Sequence, residues 1–210
     1  MSICRIKNSF LLLLLVVQTA VVSASRPVPV EDFFKKMTGV QTLSTDFLQE
    51  QFISGLKNPI RMTGSFYMTN KGNLAWIVKQ PIRFYCIIYE EKLSSWDAES
   101  GSKKTIDLKD HPAFLTMVTM MKDFFAGKIQ LQKDYASTLI SSCRIRLRPL
   151  KHNPLAGNVS QIEILLSADR RTISFVEIGF SNGDRNVMRF KNIAVDKEIP
   201  RKIWSTGENR

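Results

Sequence analysis

Residues 64–96, GSFYMTNKGNLAWIVKQPIRFYCIIYEEKLSSW, decide the fold. Phe66 and Met68 alternate with Tyr67 and Thr69, and Asn70-Lys71-Gly72-Asn73 then supplies a turn. Leu74, Trp76 and Val78 fall on one face of the next segment, which Gln80-Pro81 ends, because proline has no N–H for a ladder. Phe84, Cys86 and Ile88 alternate with Tyr85, Ile87 and Tyr89 up to a turn at Glu90-Glu91-Lys92. Period-2 alternation repeated at short spacing predicts an antiparallel meander. In the segment 84–89 both faces are apolar or aromatic, so neither can simply face water and the second must be covered. A curved sheet with helices in its hollow would do this.

Outward from the meander, residues 29–37 (PVEDFFKKM) predict a short helix whose Val30, Phe33, Phe34 and Met37 make one apolar stripe. Acidic Glu31 and Asp32 fall in its first turn and Lys35 and Lys36 in its last, the order a helix dipole favours. A first strand follows over 42–53, with Leu43, Thr45, Phe47, Gln49 and Gln51 on one side. Residues 112–125 (PAFLTMVTMMKDFF) predict a second helix, with Pro112 at its first position and Phe114, Leu115, Met117, Val118, Met121 and Phe125 making it apolar almost all round. Three of the eight methionines lie within 117–121, a composition that suits either ordinary core filling or a surface that repacks around varied apolar ligands. Residues 130–136 read as a short helical segment or an edge strand. Residues 141–149 read as a strand with Arg144, Arg146 and Arg148 on one face, either solvated or meeting anions, and three more strands are expected over 161–166, 172–180 and 186–193. Asn182-Gly183 is the strongest hairpin signal in the chain. Ile199, Ile203 and Trp204 read as packing residues near the C-terminus.

Residues 1–24 have the parts of a secretory signal peptide: Arg5 and Lys7, an apolar run over 10–17, and small residues ending at Ala24. The expected mature chain is one domain, residues 25–210, exported to an extracytoplasmic space. Removing Arg5 and Lys7 from 30 basic residues leaves 28 against 19 acidic, a formal +9 that favours anionic surfaces or an acidic partner. Nucleic acid is not an expected partner, because export and the lack of a recognition motif argue against it. Cys86 and Cys143 form a candidate disulfide in an oxidising compartment, with two buried free thiols as the alternative. The two histidines, His111 and His152, have no neighbours at metal spacing, and no nucleophile elbow or phosphate-binding glycine loop is present. The chain is therefore read as a non-enzyme without cofactor or metal. What it offers is apolar surface, a sheet with two greasy helices, suited to binding a ligand by burial.

The order of motifs resembles the periplasmic lipoprotein carrier family, LolA, in a divergent form. It runs LSTDFLQEQF with Phe47 and Gln49, GSFYMTNKGNLAW with Gly64, Leu74 and Trp76, then Gln80-Pro81, EEKLSSWD with Trp96 and Asp97, FFAGKIQL, RIRLRPL and SFVEIGFSNGDRNVMRFKNI. The resemblance implies an α+β fold, an incomplete antiparallel β-barrel whose helices cover an apolar concave face, in a monomeric periplasmic protein. It implies a carrier that shields acyl chains of lipoproteins or a related lipid between an inner-membrane exporter and an outer-membrane acceptor. The cavity would be lined by Phe66, Met68, Leu74, Trp76, Val78, Phe84, Cys86 and Ile88 from the sheet, and by Phe114, Leu115, Met117, Val118 and Met121 from the lid helix. Phe33, Phe34 and Lys71 are the lid and latch candidates. The family's latching Arg-Pro pair is replaced here by Asn70 and Lys71, and a lysine cannot reproduce the guanidinium fork. Two alternatives share the fold: a lipid- or polypeptide-sensing regulator resembling RseB, and a carrier for another lipid or a polyketide-like cargo.

Overall fold

The computed structural model describes residues 30–110, 133, 135–153 and 155–205. The expected signal segment, His111 and the helix expected over 112–125 lie outside the described residues. After a short helix α1 (Val30–Phe34), continued by a 3-10 turn (Lys35–Met37), the chain forms eleven strands. They are β1 (Thr42–Phe52), β2 (Ile60–Thr69), β3 (Leu74–Gln80), β4 (Phe84–Tyr89), β5 (Lys92–Asp97), β6 (Lys103–Asp107), β7 (Tyr135–Ser141), β8 (Arg144–Pro149), β9 (Val159–Leu166), β10 (Ile173–Phe180) and β11 (Arg185–Val195). All join one sheet in the order β6-β5-β4-β3-β2-β1-β11-β10-β9-β8-β7. The sheet is open: β6 and β7 are its edges. The chain divides into two compact units, with the division falling inside β1 and β11.

The first unit holds the meander, together with Gly39–Gln49 and Phe190–Arg210. Its strands pair in antiparallel register, with Phe66 opposite Trp76 and Trp76 opposite Cys86, and with Met68 opposite Leu74 and Leu74 opposite Ile88. Directly opposed residues share a face, so Phe66, Met68, Leu74, Trp76, Val78, Phe84, Cys86 and Ile88 form one continuous apolar surface. Tyr67, Ala75, Ile77, Tyr85, Ile87, Tyr89 and Trp96 form the other, and Ile203 and Trp204 pack against it. Trp204 stacks on Tyr89 with centroids 5.7 Å apart, and Trp96 on Tyr85 at 5.8 Å. The second apolar face that the sequence requires to be covered is thus covered by the C-terminal segment, a contact too remote in sequence to be read from periodicity.

Turn chemistry fixes the register. The β2–β3 and β10–β11 hairpins are closed alike: Gly72 N–H donates to Thr69 O at 3.0 Å and Thr69 N–H to Asn73 O at 2.9 Å. Gly183 N–H likewise donates to Phe180 O at 3.1 Å and Phe180 N–H to Asp184 O at 2.9 Å. In both, the glycine takes the positive φ that a three-residue hairpin loop demands, 88° and 86°. The β4–β5 turn instead places Glu90 and Glu91 at φ 49° and 62°, a conformation side chains disfavour.

The second unit contains α1, Glu50–Ile60, and β7 to β10 with the start of β11. Its apolar face carries Ile145, Leu147, Ile162, Ile164, Ile178 and Met188, all buried. Phe33, Phe34 and Met37 of the N-terminal stripe are buried too. The opposite face is dominated by charged side chains, with Leu165, Phe175 and the buried Val187 among them. The largest departure in strand boundaries is at β7, Tyr135–Ser141, which overlaps the segment expected over 130–136 only at Tyr135 and Ala136, and Ser142-Cys143 is the turn into β8.

Candidate apolar ligand-binding face

The meander's first face is built around Trp76. Phe47 of β1 stacks on its ring at 4.1 Å and 22°, Phe66 meets it edge-on at 5.6 Å and 69°, and Phe190 lies 6.4 Å from Phe66. This cluster exists because residue 64 is glycine: a Cβ there would lie 2.0 Å from the Ile77 carbonyl and 2.7 Å from the Phe47 ring. Trp76 is 3% exposed, and Leu74 and Ile88 are more deeply buried still, whereas Phe84 is half-buried. Cys86 lies in the same surface, where burial pushes its thiol up to about 12, so at neutral pH it stays protonated and behaves as a small hydrophobe. Cys86 and Cys143 are both free. The candidate disulfide is therefore not formed: Cys86 faces Trp76 across β3 and β4, while Cys143 sits in the β7–β8 turn with Ser141 Oγ 3.6 Å from its sulfur.

The structure brings the eight sheet candidates, Phe66 to Ile88, onto one surface. Lys71 is exposed in the β2–β3 turn, Phe33 and Phe34 belong to the other unit, and Phe114, Leu115, Met117, Val118 and Met121 lie outside the described residues. Phe47 was not among the candidates, although its alternation with the buried Thr45 and Gln49 carried the signal.

On the other side of β1, Asp46 accepts hydrogen bonds from Asn192 Nδ2 at 2.9 Å and Ser65 Oγ at 2.8 Å, with Lys79 Nζ 3.7 Å away. The Asn192 bond first, then the Ser65 bond and the lysine charge, hold its carboxyl below the usual range against partial desolvation. In the second unit the arginine face is met from within the sheet. Glu163 on β9 pairs with Arg144 and, at 3.4 Å, with Arg146. Arg189 binds Glu50 at 2.6 Å, and Arg185 lies 3.6 Å from Glu177 and 4.0 Å over the Phe52 ring. Glu163 and Glu177 stand directly opposite one another, a like-charge pair held between arginines. Arg148 is exposed. Among the described residues no group of histidine, cysteine or acidic side chains is arranged to hold a metal ion, and no helix is long and apolar enough to cross a membrane.

Among the described residues, an open, mostly antiparallel sheet of eleven strands with few helical turns defines the class of fold. The fold is one also found in MucB, at low sequence identity. No protein-family model matches the chain, and no characterised protein matches it in sequence. Among solved structures it is similar to MucB in the MucA/MucB complex of Pseudomonas aeruginosa, at 9% identity and a TM-score of 0.51 over 85% of this chain and 59% of that one. It is similar to MucB in a further crystal structure at 8% identity and a TM-score of 0.50, over 87% and 64%. The chain thus spans less than two thirds of the MucB chains. The LolA superfamily protein NE2245 from Nitrosomonas europaea is a looser likeness, 8% identical with a TM-score of 0.41 over 86% of this chain and 99% of that one. At such identities the likeness is one of fold.

Proposed function

We propose that the protein is a periplasmic carrier that shields acyl chains, of lipoproteins or of a related lipid, against the Trp76 face of its meander during transfer between the inner and outer membranes. The supporting observation is that the meander is apolar on both faces: one packs against the C-terminal Ile203 and Trp204, and the other gathers Phe66, Leu74, Trp76, Cys86 and Ile88 into one continuous apolar surface. The apolar stretch 112–125, with Phe114, Leu115, Met117, Val118 and Met121, is the lid candidate in this reading. No bond is made or broken. Burial at about 0.8 kcal/mol per CH₂ lets a chain of about a dozen carbons contribute several kcal/mol, and release needs an acceptor that buries it better. An inner-membrane exporter and an outer-membrane acceptor are the partners.

Native mass spectrometry of the protein purified from its own cells, followed by organic extraction, tests this directly. A copurifying acylated species supports the carrier and identifies the cargo, including a non-lipoprotein one. A protein that stays empty when offered lipoproteins and free lipids overturns it. Met117→Glu should abolish cargo retention while the protein remains folded.

A second reading, a regulator that senses lipid or polypeptide, draws on the likeness to MucB, which was solved in complex with MucA. Such a protein holds one stable partner where a carrier cycles between two, and pull-downs separate them.

A further inference from the structure

The two edges of the sheet are unlike. At one edge β6 (KKTID) carries Lys103, Lys104 and Asp107, the charges by which natural sheets keep an edge from pairing with another chain. At the other edge β7 and its turn, residues 135–142 (YASTLISS), contain no charged residue and no proline. Leu139 and Ile140 are 39% and 42% exposed, among the few large hydrophobic side chains exposed among the described residues. β7 pairs with β8 in regular register from Tyr135 to Leu139, with an irregularity only before Ser141. A β-prone, uncharged and accessible edge is a template for strand addition.

The neighbouring strand says what kind of strand fits. Arg148 lies opposite Ala136 and Arg146 opposite Thr138, so two short exposed side chains border the arginine face on its edge side. An added strand would place one row of side chains about two strand spacings, or about 10 Å, from Arg148, a gap that a glutamate and an arginine close between them. A second copy of this chain is a poor occupant, because antiparallel β7-to-β7 pairing would set two arginine rows on one face. We propose that β7 is a docking edge for an acidic, extended peptide segment of a partner protein, which adds as a twelfth strand with its carboxylates toward Arg148. This edge is separate from the Trp76 face, so the proposal stands independently of cargo carriage.

The test uses the purified full chain and fluorescent ten-residue probes. One probe alternates glutamate and valine, one alternates lysine and valine, and one repeats the acidic sequence with every backbone nitrogen methylated. The expected result is that the acidic probe binds, that the lysine probe and the methylated probe bind at least about tenfold more weakly, and that the acidic probe slows amide exchange in residues 136–140. Arg148→Glu should lower affinity for the acidic probe by about tenfold without changing the melting temperature. Equal binding of the methylated probe would reduce the effect to plain charge attraction and overturn strand addition. Absence of acidic-probe binding, or a concentration-dependent dimer with β7 already protected, would overturn the choice of occupant.

Discussion

The meander unit and the arginine unit solve the same problem in opposite ways. In the arginine unit one sheet face is apolar and buried and the other carries Glu50, Glu163 and Glu177 among Arg144, Arg146, Arg185 and Arg189. Such a sheet needs one cover, because its second face is content beside water. In the meander unit both faces are apolar, so it needs two covers: the C-terminal segment packs against one, and Phe47 stacks on Trp76 at the other. A sheet that demands a second cover is where a ligand can substitute for protein. The difference is the ground for assigning the proposed ligand face to the meander and not to the arginine unit.

The sharpest way to break the meander is Gly64→Ala. Its Cβ would sit 2.0 Å from the Ile77 carbonyl, which belongs to the paired backbone and cannot swing aside. Loss of about 3 kcal/mol or more is expected in chemical denaturation; a loss well below 1 kcal/mol would show that the strands are less tightly apposed than described. Next comes Trp204→Ala, which uncovers Tyr89 and the cluster of Ala75, Tyr85 and Ile87. It should cost about 2 kcal/mol and raise binding of an apolar dye, whereas unchanged dye binding would mean the second face does not depend on this cover.

In the arginine unit the corresponding change is Glu163→Gln, which leaves Arg144 and Arg146 without their shared carboxylate. Their guanidinium groups are partly exposed, so about 1 kcal/mol is expected, and it should shrink as salt is added. A salt-independent loss would indicate packing instead of charge. The smallest effect concerns Asp46. Its carboxyl is held below the unfolded value by Asn192, Ser65 and Lys79, so its contribution is complete above the ordinary carboxylate range and is lost as pH falls through the folded value. Asp46→Asn should flatten the acid limb of a stability profile below about pH 4 and leave the slope at neutral pH unchanged; an identical acid limb would remove Asp46 from the linkage.

Much of the meander was legible because its signals are local. Alternation assigned Leu74, Trp76 and Val78 to one face, and Asn-Lys-Gly-Asn and Asn-Gly marked two hairpins that prove to be closed by the same bonds. β7 was not legible in that way: YASTLIS has little alternation, and its strand character comes from pairing with β8. The arginine row was visible as a period-2 pattern, but its answer in Glu163 required the β8–β9 register, in which Arg146 stands opposite that carboxylate. Phe47 was readable as a strand residue, yet its place over Trp76 depends on an absent side chain at Gly64, which lies on a different strand from either ring. The pairing of two lone cysteines rested on number alone, and number carries no geometry.

Those two cysteines also make the molecule its own reporter. Cys143, half-buried in a turn, is more accessible to a thiol reagent than the buried Cys86, whose thiolate is suppressed for as long as the Trp76 surface stays closed. The delay between fast labelling at one and slow labelling at the other is a clock for how often the apolar surface opens, and it runs in the unmodified chain.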